Sequence, residues 1–248
     1  MNTPQKIEFE RHKSEINKLG FTTINNIYSK EEINRIVKEI ENADRSSDTF
    51  RVSKDLFAIR QFLNELPETR NLIFNQKLNK IISKIFGDNY FVVKSIYFDK
   101  PESSNWYVAY HQDLTISVDK KISSKDFGPW TKKQNQFAVQ PPIYILKNIY
   151  TIRIHLDHTN FENGALKVIP DSHSKGIIRP ENIDWTTEIE KICEVEKGGI
   201  MIMKPLILHG SNRTTNNQKR RVIHIEFSDL NLPEGLKWPE KLNQKAFA

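Results

Sequence analysis

Two histidines and one aspartate in this chain have the residue types and spacing of a metal-binding set. His111 and Asp113 stand two residues apart, and His209 follows about a hundred positions later, directly before Gly210. Residues two apart on a strand point to the same face. Two imidazoles and one carboxylate form the facial triad that holds non-heme Fe(II) and leaves coordination positions open. The three residues therefore predict a mononuclear iron site.

An arginine eleven residues after His209 indicates what the open coordination positions receive. Arg220 carries a fixed positive charge on a planar guanidinium, which can grip a carboxylate through two hydrogen bonds. An iron site with an arginine at this offset favours an oxygenase that uses a 2-oxo acid as co-substrate. Arg221 competes for the same role, because a slip of one residue turns a strand side chain to the other face.

Spacing alone leaves other interpretations open. The chain has seven histidines, so a His-x-Asp pair can also arise from unrelated polar residues at strand ends. Zinc accepts the same ligand types, and a metal-dependent hydrolase or isomerase on a cupin-like scaffold would use bound water as its nucleophile. A catalytically silent binding protein is a third interpretation. Arg220 argues against hydrolysis, which gives no reason for an arginine there, and the intact triad argues against a silent protein.

The composition is that of a globular protein with one substantial core. The 248 residues are 38% hydrophobic and 10% aromatic, and all-β units of this size commonly form one domain. We therefore expect a single domain over 1–248. No apolar run reaches the ~20 residues of a membrane span, and the N-terminus lacks the apolar segment of a signal peptide. A single cysteine, Cys193, excludes an intramolecular disulfide and favours a cytoplasmic protein with no membrane partner.

The charge balance is moderately basic, with 37 Lys and Arg against 31 Asp and Glu, for a net charge of +6. A nucleic-acid partner, as in dealkylating oxygenases, would need basic residues interleaved with aromatic ones along a groove. The densest basic cluster is 219–221, where the metal hypothesis already uses an arginine, so no nucleic-acid partner is expected. The excess charge suits an anionic small molecule but does not require one. No feature of the sequence predicts an oligomeric state.

The N-terminal part, about 1–88, has helical patterns. Ser29 and Glu32 form a capping box, in which each side chain accepts a hydrogen bond from the other residue's backbone N–H. An apolar stripe at helical spacing follows it, made by Ile33, Ile36, Val37 and Ile40. A second helix is predicted over 69–86, with Gly87 as its stop signal. The polar segment 45–60 between them predicts a loop.

From about 89 to 230 the pattern changes to short strands separated by turns. Aromatic and β-branched residues fill predicted strands at 90–98, 106–110, 150–156, 165–169, 199–204 and 221–227. The segment 119–142 shows little periodicity and predicts a long functional loop, such as a lid. These elements predict a mainly β protein, with N-terminal helices supporting a double-sheet core.

Several motifs, in this order along the chain, resemble the phytanoyl-CoA dioxygenase family. They are FDKP at 98–101, NWY at 105–107, HQDLTI at 111–116, RIHLD at 153–157, ENGAL at 162–166, IPDSH at 169–173 and HGS at 209–211, with Arg220 last. The resemblance covers roughly 20–228 and is specific for the family, but it does not indicate the substrate. One departure is Asp171, at a turn position where the family usually has glycine.

The resemblance implies a double-stranded β-helix (jelly-roll, cupin-like) core and an enzyme that uses Fe(II), 2-oxoglutarate and O2, with ascorbate as a supporting reductant. It places the metal on His111, Asp113 and His209, and the distal carboxylate of 2-oxoglutarate on Arg220 with help from Ser211. It implies hydroxylation of an unactivated C–H bond in a small-molecule substrate, with release of succinate and CO2. Related iron halogenases replace the carboxylate ligand with a small residue, so Asp113 favours hydroxylation.

Other polar and aromatic residues are weaker candidates. Arg153 matches a co-substrate contact of the family, and with His155 it is expected either to line the pocket or to face solvent or pair with its neighbour. His224 shares the strand face of Arg220 and is expected to point inward. Two tryptophans near the proposed mouth and one structural histidine complete the set: Trp106, Trp130 and His173.

Overall fold

Helices predominate in the first third of the chain and strands in the rest, within the part that the computed structural model describes, which is residues 3–44, 46–52, 57–101, 107–133, 136–233 and 235–247. The helices are α1 (Thr3–Leu19), α2 (Lys30–Glu41), α3 (Phe62–Glu65), α4 (Arg70–Ile73), α5 (Gln76–Ile85) and α6 (Ile143–Asn148). The strands are β1 (Phe21–Ile24), β2 (Phe50–Val52), β3 (Phe57–Arg60), β4 (Phe91–Lys100), β5 (Val108–His111), β6 (Ile116–Val118), β7 (Trp130–Lys133), β8 (Gln136–Val139), β9 (Tyr150–His155), β10 (Leu166–Ile169), β11 (Lys191–Cys193), β12 (Ile200–Met203), β13 (Leu208–Ser211) and β14 (Arg220–Ser228).

The strands form antiparallel sheets, two of which enclose a cavity. The major sheet has the order β1-β12-β9-β14-β4-β3-β2, the minor sheet β11-β10-β13-β5, and a third sheet β6-β8-β7. Side chains from the major and minor sheets line the same cavity, so these two sheets face each other. This is the jelly-roll core with N-terminal helices that the sequence predicts, and the fold prediction is confirmed.

Strand alternation in the major sheet separates the cavity from the helical layer. On β14, Arg220, Val222 and His224 line the cavity, whereas Ile223 and Ile225, which point to the opposite face, are buried in the main hydrophobic cluster with the helices. Full burial of an isoleucine side chain contributes roughly 1.5–3 kcal/mol. The apolar residues therefore fix which face of the strand meets the helices, and that choice fixes which side chains reach the cavity.

Helix α2 forms as its sequence predicts. The Ser29 hydroxyl accepts from the Glu32 backbone N–H at 3.2 Å, and the Glu32 carboxylate accepts from the Ser29 N–H at 2.7 Å. Ile33, Ile36 and Ile40 are buried against the sheet. Helix α1, which precedes it, has no counterpart among the sequence predictions.

The predicted helix over 69–86 is interrupted, and that prediction was wrong as a continuous element. The chain leaves helical geometry at Phe74, and the Asn75 side chain then caps a new helix by accepting from the Leu78 N–H at 2.9 Å. Because the apolar pattern runs through the break, periodicity alone merges α4 and α5. Gly87 follows with φ +118°, as its predicted role at the helix end requires.

Two segments predicted as loops contain strands. Within 45–60, β2 and β3 pair at one edge of the major sheet; each is only three or four residues long, too short for alternation to be visible. Within 119–142, β7 and β8 pair with each other, and β8 also pairs with β6. None of the described residues of that segment lines the cavity.

Across the residues that the structure describes, no helix is both long enough and apolar enough to pass through a membrane.

Candidate metal centre

The minor sheet brings the two predicted histidine ligands together. β5 and β13 are antiparallel neighbours with His111 opposite His209, and the two imidazole rings lie 4.3 Å apart between centroids. Asp113 follows the end of β5, where its backbone N–H donates to the Pro205 carbonyl at 2.9 Å. One ligand atom from each of the three residues lies within 4.8 Å of the others. Residues 98 positions apart in sequence therefore converge on one point.

Each histidine has one ring nitrogen committed to the backbone. Nδ1 of His111 lies 2.9 Å from the Ala109 carbonyl, and Nδ1 of His209 lies 2.9 Å from the Ile207 carbonyl. A carbonyl only accepts, so Nδ1 carries the proton and Nε2 keeps its lone pair. A metal-binding imidazole is usually oriented by this kind of second interaction.

The free ring nitrogens meet the carboxylate at a distance that suits a shared cation. Nε2 of His111 is 3.9 Å from Oδ1 of Asp113, and Nε2 of His209 is 3.8 Å from Oδ2. Both gaps are too long for a hydrogen bond. Two imidazoles and a carboxylate around one point are the donors of the facial triad, so the residues present fit the metal that the sequence predicts.

The local electrostatics hold His209 and Asp113 in their metal-binding protonation states. Burial lowers the pKa of His209 to about 4, outweighing the opposing effect of Asp113, so its imidazole is neutral near neutral pH. Burial raises the pKa of Asp113, but His209, His224 and Lys94 outweigh it and hold that pKa well below its usual range. A ligand set that is already deprotonated binds a cation without first losing protons.

A cavity of about 250 Å³ lies between the major and minor sheets and contains the triad. The His111 side chain is 42% exposed and the His209 side chain 5%, so the triad runs from the mouth of the cavity inward. The cavity is lined by Lys94, Ile96, Phe98, Lys100, Val108, His111, Asp113, Arg153, Leu166, His209, Ser211, Arg220, Val222 and His224. All six residues predicted for the metal and the co-substrate are in this set.

The structure separates the two competing arginines. Arg220 is buried, lines the cavity, and donates from Nη1 to the Gly164 carbonyl. Burial and the neighbouring Arg153 lower the pKa of Arg220 to about 9, which leaves it protonated near neutral pH. Arg221 points the other way and binds Asp157 through Nε at 2.9 Å and Nη2 at 2.8 Å. Of Arg220 and Arg221, Arg220 is the one that a ligand in the cavity can reach.

The Gly164 turn positions the carbonyl that orients Arg220. Gly164 has φ +81°, and a Cβ there would lie 2.7 Å from the Asn212 carbonyl oxygen and 3.0 Å from Lys100 Nζ. The turn is held by the Asn163 side chain, which accepts from the Asn160 N–H at 2.8 Å. Glycine therefore lets the turn approach both β4 and the segment after β13.

The weaker sequence candidates divide between the cavity and its surroundings. Arg153, Ser211 and His224 line the cavity. His155 is buried next to it rather than in its lining; Nδ1 lies 2.8 Å from the Thr159 hydroxyl, and Nε2 has no partner among the described residues.

Of the three remaining candidates, the two that the structure describes do not line the cavity. His173 lies beside the Asn17 carbonyl of α1 at 3.3 Å. Trp130 donates from its indole to the Phe127 carbonyl at 3.1 Å and packs on the cluster under the third sheet. Trp106 lies outside the described residues.

Sequence reasoning missed the cavity residues of β4. Lys94, Ile96, Phe98 and Lys100 are spaced by two, so they share the inward face of one strand. The sequence did contain a signal for them, because two lysines share one face of an otherwise apolar strand. A buried charged side chain in such a place needs a partner.

Comparison with known proteins shows the family to which this chain belongs. A model of the phytanoyl-CoA dioxygenase (PhyH) family matches residues 16–222, most of the chain. The chain belongs to the phytanoyl-CoA dioxygenase family. The family is one of iron- and 2-oxoglutarate-dependent oxygenases. The three residues of the triad and Arg220 of this phytanoyl-CoA dioxygenase family member all lie within the matched span. Comparison with curated proteins finds no match.

Solved structures share the fold of this family member at low sequence identity. EctD from S. alaskensis in its apo form has a TM-score of 0.69 and 17% identity, covering 94% of this chain and 82% of its own. AviO1 from Streptomyces viridochromogenes Tue57 has a TM-score of 0.64 and 18% identity, covering 90% and 96%. The carbocyclase SnoK from nogalamycin biosynthesis has a TM-score of 0.64 and 13% identity, covering 96% and 88%.

Proposed function

We propose that this protein is an Fe(II)- and 2-oxoglutarate-dependent dioxygenase that hydroxylates an unactivated C–H bond of a small molecule and releases succinate and CO2. The observation that carries the proposal is the presence of the His111, Asp113 and His209 donor cluster and the Arg220 guanidinium in one cavity. A zinc hydrolase would use the same donors but has no use for a buried arginine in that cavity.

Each residue has a defined task in this proposal. His111, Asp113 and His209 hold the metal, Arg220 and Ser211 bind the distal carboxylate of 2-oxoglutarate, and Arg153 is a further predicted co-substrate contact. When bound, iron with 2-oxoglutarate and O2 supplies the oxidant for the C–H bond.

The protein's own contribution is to position these groups and to exclude water. The Ala109 and Ile207 carbonyls fix the imidazole tautomers, and the Gly164 carbonyl fixes the direction of the Arg220 guanidinium. Positioning of this kind lowers the entropic part of the barrier, and a buried cavity strengthens each charge interaction inside it.

Hydroxylation is one of several outcomes that this fold supports. Solved structures with the same fold include an epimerase, SnoN, and a carbocyclase, SnoK, and each of those activities is that of the named protein. The carboxylate ligand Asp113 favours hydroxylation over halogenation, because a halide would need its position. Product mass separates the outcomes: hydroxylation adds one oxygen atom, whereas epimerisation leaves the mass unchanged.

The proposed substrate is a small molecule, since it shares a cavity of about 250 Å³ with the co-substrate. The proposed compartment is the cytoplasm, because the single cysteine, Cys193, is a free thiol in a buried apolar cluster.

Succinate release tests the proposal. The iron-loaded protein is incubated with 2-oxoglutarate, O2 and ascorbate across a panel of metabolites, and succinate and product mass are measured. We expect at least one metabolite to stimulate succinate release and to gain one oxygen atom. The proposal is abandoned if the iron-loaded protein neither binds 2-oxoglutarate nor turns it over with any candidate.

A further inference from the structure

Among the described residues, the cavity holds more positive charge than the co-substrate and the nearby carboxylates can neutralise. Four cationic side chains line it: Lys94, Lys100, Arg153 and Arg220. Among the described residues of the lining, Asp113 is the single carboxylate. Buried cations without a counter-charge are costly, so each of the four needs an explanation.

Lys94 is already neutralised by the protein. Its Nζ lies 2.7 Å from Oε1 of Glu226, a buried carboxylate on the neighbouring strand β14. The same oxygen lies 3.1 Å from Nε2 of His224. The charge of Lys94 is therefore balanced by Glu226, and Glu226 has no further negative charge to balance the other three cations.

Lys100 has no carboxylate partner among the described residues. It is 2% exposed, stands opposite Arg220 in the β4–β14 register, and donates to the Asn212 carbonyl at 2.8 Å. Burial and the adjacent Arg220 lower the pKa of Lys100 to about 8, so its ammonium form predominates near neutral pH. Two cations are thus buried side by side at one end of the cavity.

Arg153 is the second cation without a described carboxylate partner. It is 8% exposed, and its Nη1 lies 3.2 Å from Nδ1 of His224, which is a dipolar partner and not a counter-charge. Its Nε is buried with no hydrogen-bond partner among the described residues. Burial lowers the pKa of Arg153 to about 10, and it remains a cation near neutral pH.

The formal charges of the loaded site leave a surplus. Fe(II), the Asp113 carboxylate, doubly charged 2-oxoglutarate and Arg220 cancel, and so do Lys94 and Glu226. Arg153 and Lys100 remain, so two positive charges have no counter-charge among the described residues, whichever cation touches which carboxylate of the co-substrate. A low-dielectric cavity lined by one sign of charge concentrates ligands of the opposite sign.

We propose that the primary substrate is an anion, a small molecule whose carboxylate or phosphate group is neutralised by the surplus charge of Lys100 and Arg153. The inference rests on the proposed function, because the charge count includes iron and 2-oxoglutarate. It excludes cationic and neutral metabolites as preferred substrates. A carboxylate or phosphate accepts charge-assisted hydrogen bonds from both side chains.

Matched ligand pairs test the proposal in the loaded protein. The protein is saturated with Fe(II) and 2-oxoglutarate without O2, so nothing turns over, and 2-oxoglutarate occupancy is confirmed by equilibrium dialysis. Short linear carboxylic acids are then compared with their primary amides, and alkyl phosphate monoesters with the corresponding alcohols. We expect the anionic members to bind roughly tenfold or more tightly than their neutral partners, the effect of one charge-assisted hydrogen bond.

Two substitutions test whether the preference for anionic ligands depends on Lys100. Lys100→Gln keeps an N–H donor for the Asn212 carbonyl, and we expect it to reduce the anion preference several-fold while the melting temperature stays close to wild type. Lys245→Gln removes a positive charge from an exposed pair with Asp88 and should leave the preference unchanged.

The outcomes are distinguishable. Failure of 2-oxoglutarate to bind the iron-loaded protein contradicts the proposed function itself. Normal 2-oxoglutarate binding, with carboxylates and phosphates bound no better than amides and alcohols, overturns the anionic-substrate inference alone. That second outcome includes the case in which none of the probes binds.

Discussion

The two ring nitrogens of each triad histidine have different neighbours, and this difference determines which can hold a metal. Nδ1 of His111 and of His209 faces a backbone carbonyl, which leaves Nε2 as the lone-pair donor. Only the Nε2 atoms approach Asp113, at 3.9 and 3.8 Å. The donor geometry is therefore set by backbone hydrogen bonds of β5 and β13 before any metal is bound.

Removal of the carboxylate ligand should abolish metal-dependent turnover. For Asp113→Ala we expect iron affinity and succinate release to fall by at least about a hundredfold, above the 10–100-fold typical of losing a residue that only orients a ligand. Iron content after dialysis and succinate formation measure this. Asp126→Ala, which removes an exposed carboxylate outside the cavity, serves as the matched control, and equal losses in both variants would contradict the assignment.

The two adjacent arginines should give opposite phenotypes. Arg220→Ala should weaken 2-oxoglutarate binding by roughly tenfold to a hundredfold, since a hydrogen bond to a charged group contributes about 1.5–3 kcal/mol. Arg221→Ala should instead lower the free energy of unfolding by about 1–2 kcal/mol through loss of its bidentate pair with Asp157. Calorimetric binding and chemical denaturation separate the two effects; weaker 2-oxoglutarate binding in Arg221→Ala alone would reverse the assignment.

At the scale of single residues, the side chains that the sequence predicts for the site lie close together. His111, Asp113, His209, Arg220, Ser211 and Arg153 all line one cavity, although their roles there stay predictions. The choice between Arg220 and Arg221 needed the strand register, because one residue of slip exchanges the faces. Lys94 and Lys100 were missed, since a lone lysine on a strand reads as a solvated residue until the opposite sheet is placed over it.

The helices and strands differ in how well their own sequence predicts them. Helix α2 carries a capping box and a regular apolar stripe, both local signals, and both form. The short strands β2, β3, β7 and β8 carry no comparable pattern. β3 and β8 join their sheets by pairing with the more distant β4 and β6, and, among the described strands, β2 and β7 pair only with β3 and β8. A three- or four-residue strand is defined by the edge it joins, which periodicity cannot show.

A buried carboxyl joins the C-terminal segment to β4 and α3. Ser95 donates to Glu240 at 2.5 Å and accepts from the Leu63 N–H at 2.9 Å, while Oε1 of Glu240 has no partner among the described residues. Burial raises the pKa of Glu240 to about 8, which outweighs the opposing effects of Ser95 and Lys94. The folded protein therefore holds this proton more tightly than the unfolded chain does.

That linkage predicts a pH-dependent stability. Because the folded pKa is raised, the stabilisation is complete below the unfolded value of 4.5 and is lost as pH rises towards about 8. Relative to Glu240→Gln, the wild-type free energy of unfolding should fall by a few kcal/mol, as an order of magnitude, across that range. Urea denaturation at several pH values measures the difference.

Glu68→Gln, at an exposed carboxylate, is the control and should parallel wild type at every pH. A constant difference between wild type and Glu240→Gln across the range would contradict the raised pKa.

At the scale of the whole molecule, a helical layer covers one face of the major sheet, and the cavity lies between the two sheets on the other face. The long-range pairing of β5 with β13 and of β4 with β14 brings the triad, the arginines and the lysines into one space. The sequence predicts the fold and the family because their motifs are local and ordered. Substrate class follows instead from the charge that several distant strands bring together.

Anaerobic titration of 2-oxoglutarate into the wild-type protein, with and without Fe(II), tests the central claim most directly. We predict saturable binding that requires Fe(II), is lost in Asp113→Ala and is weakened in Arg220→Ala, because the metal and the guanidinium hold opposite ends of the same molecule. Absence of binding to the iron-loaded protein, or binding of equal affinity without iron and in Asp113→Ala, would contradict the assignment of this cavity as an iron and 2-oxoglutarate site.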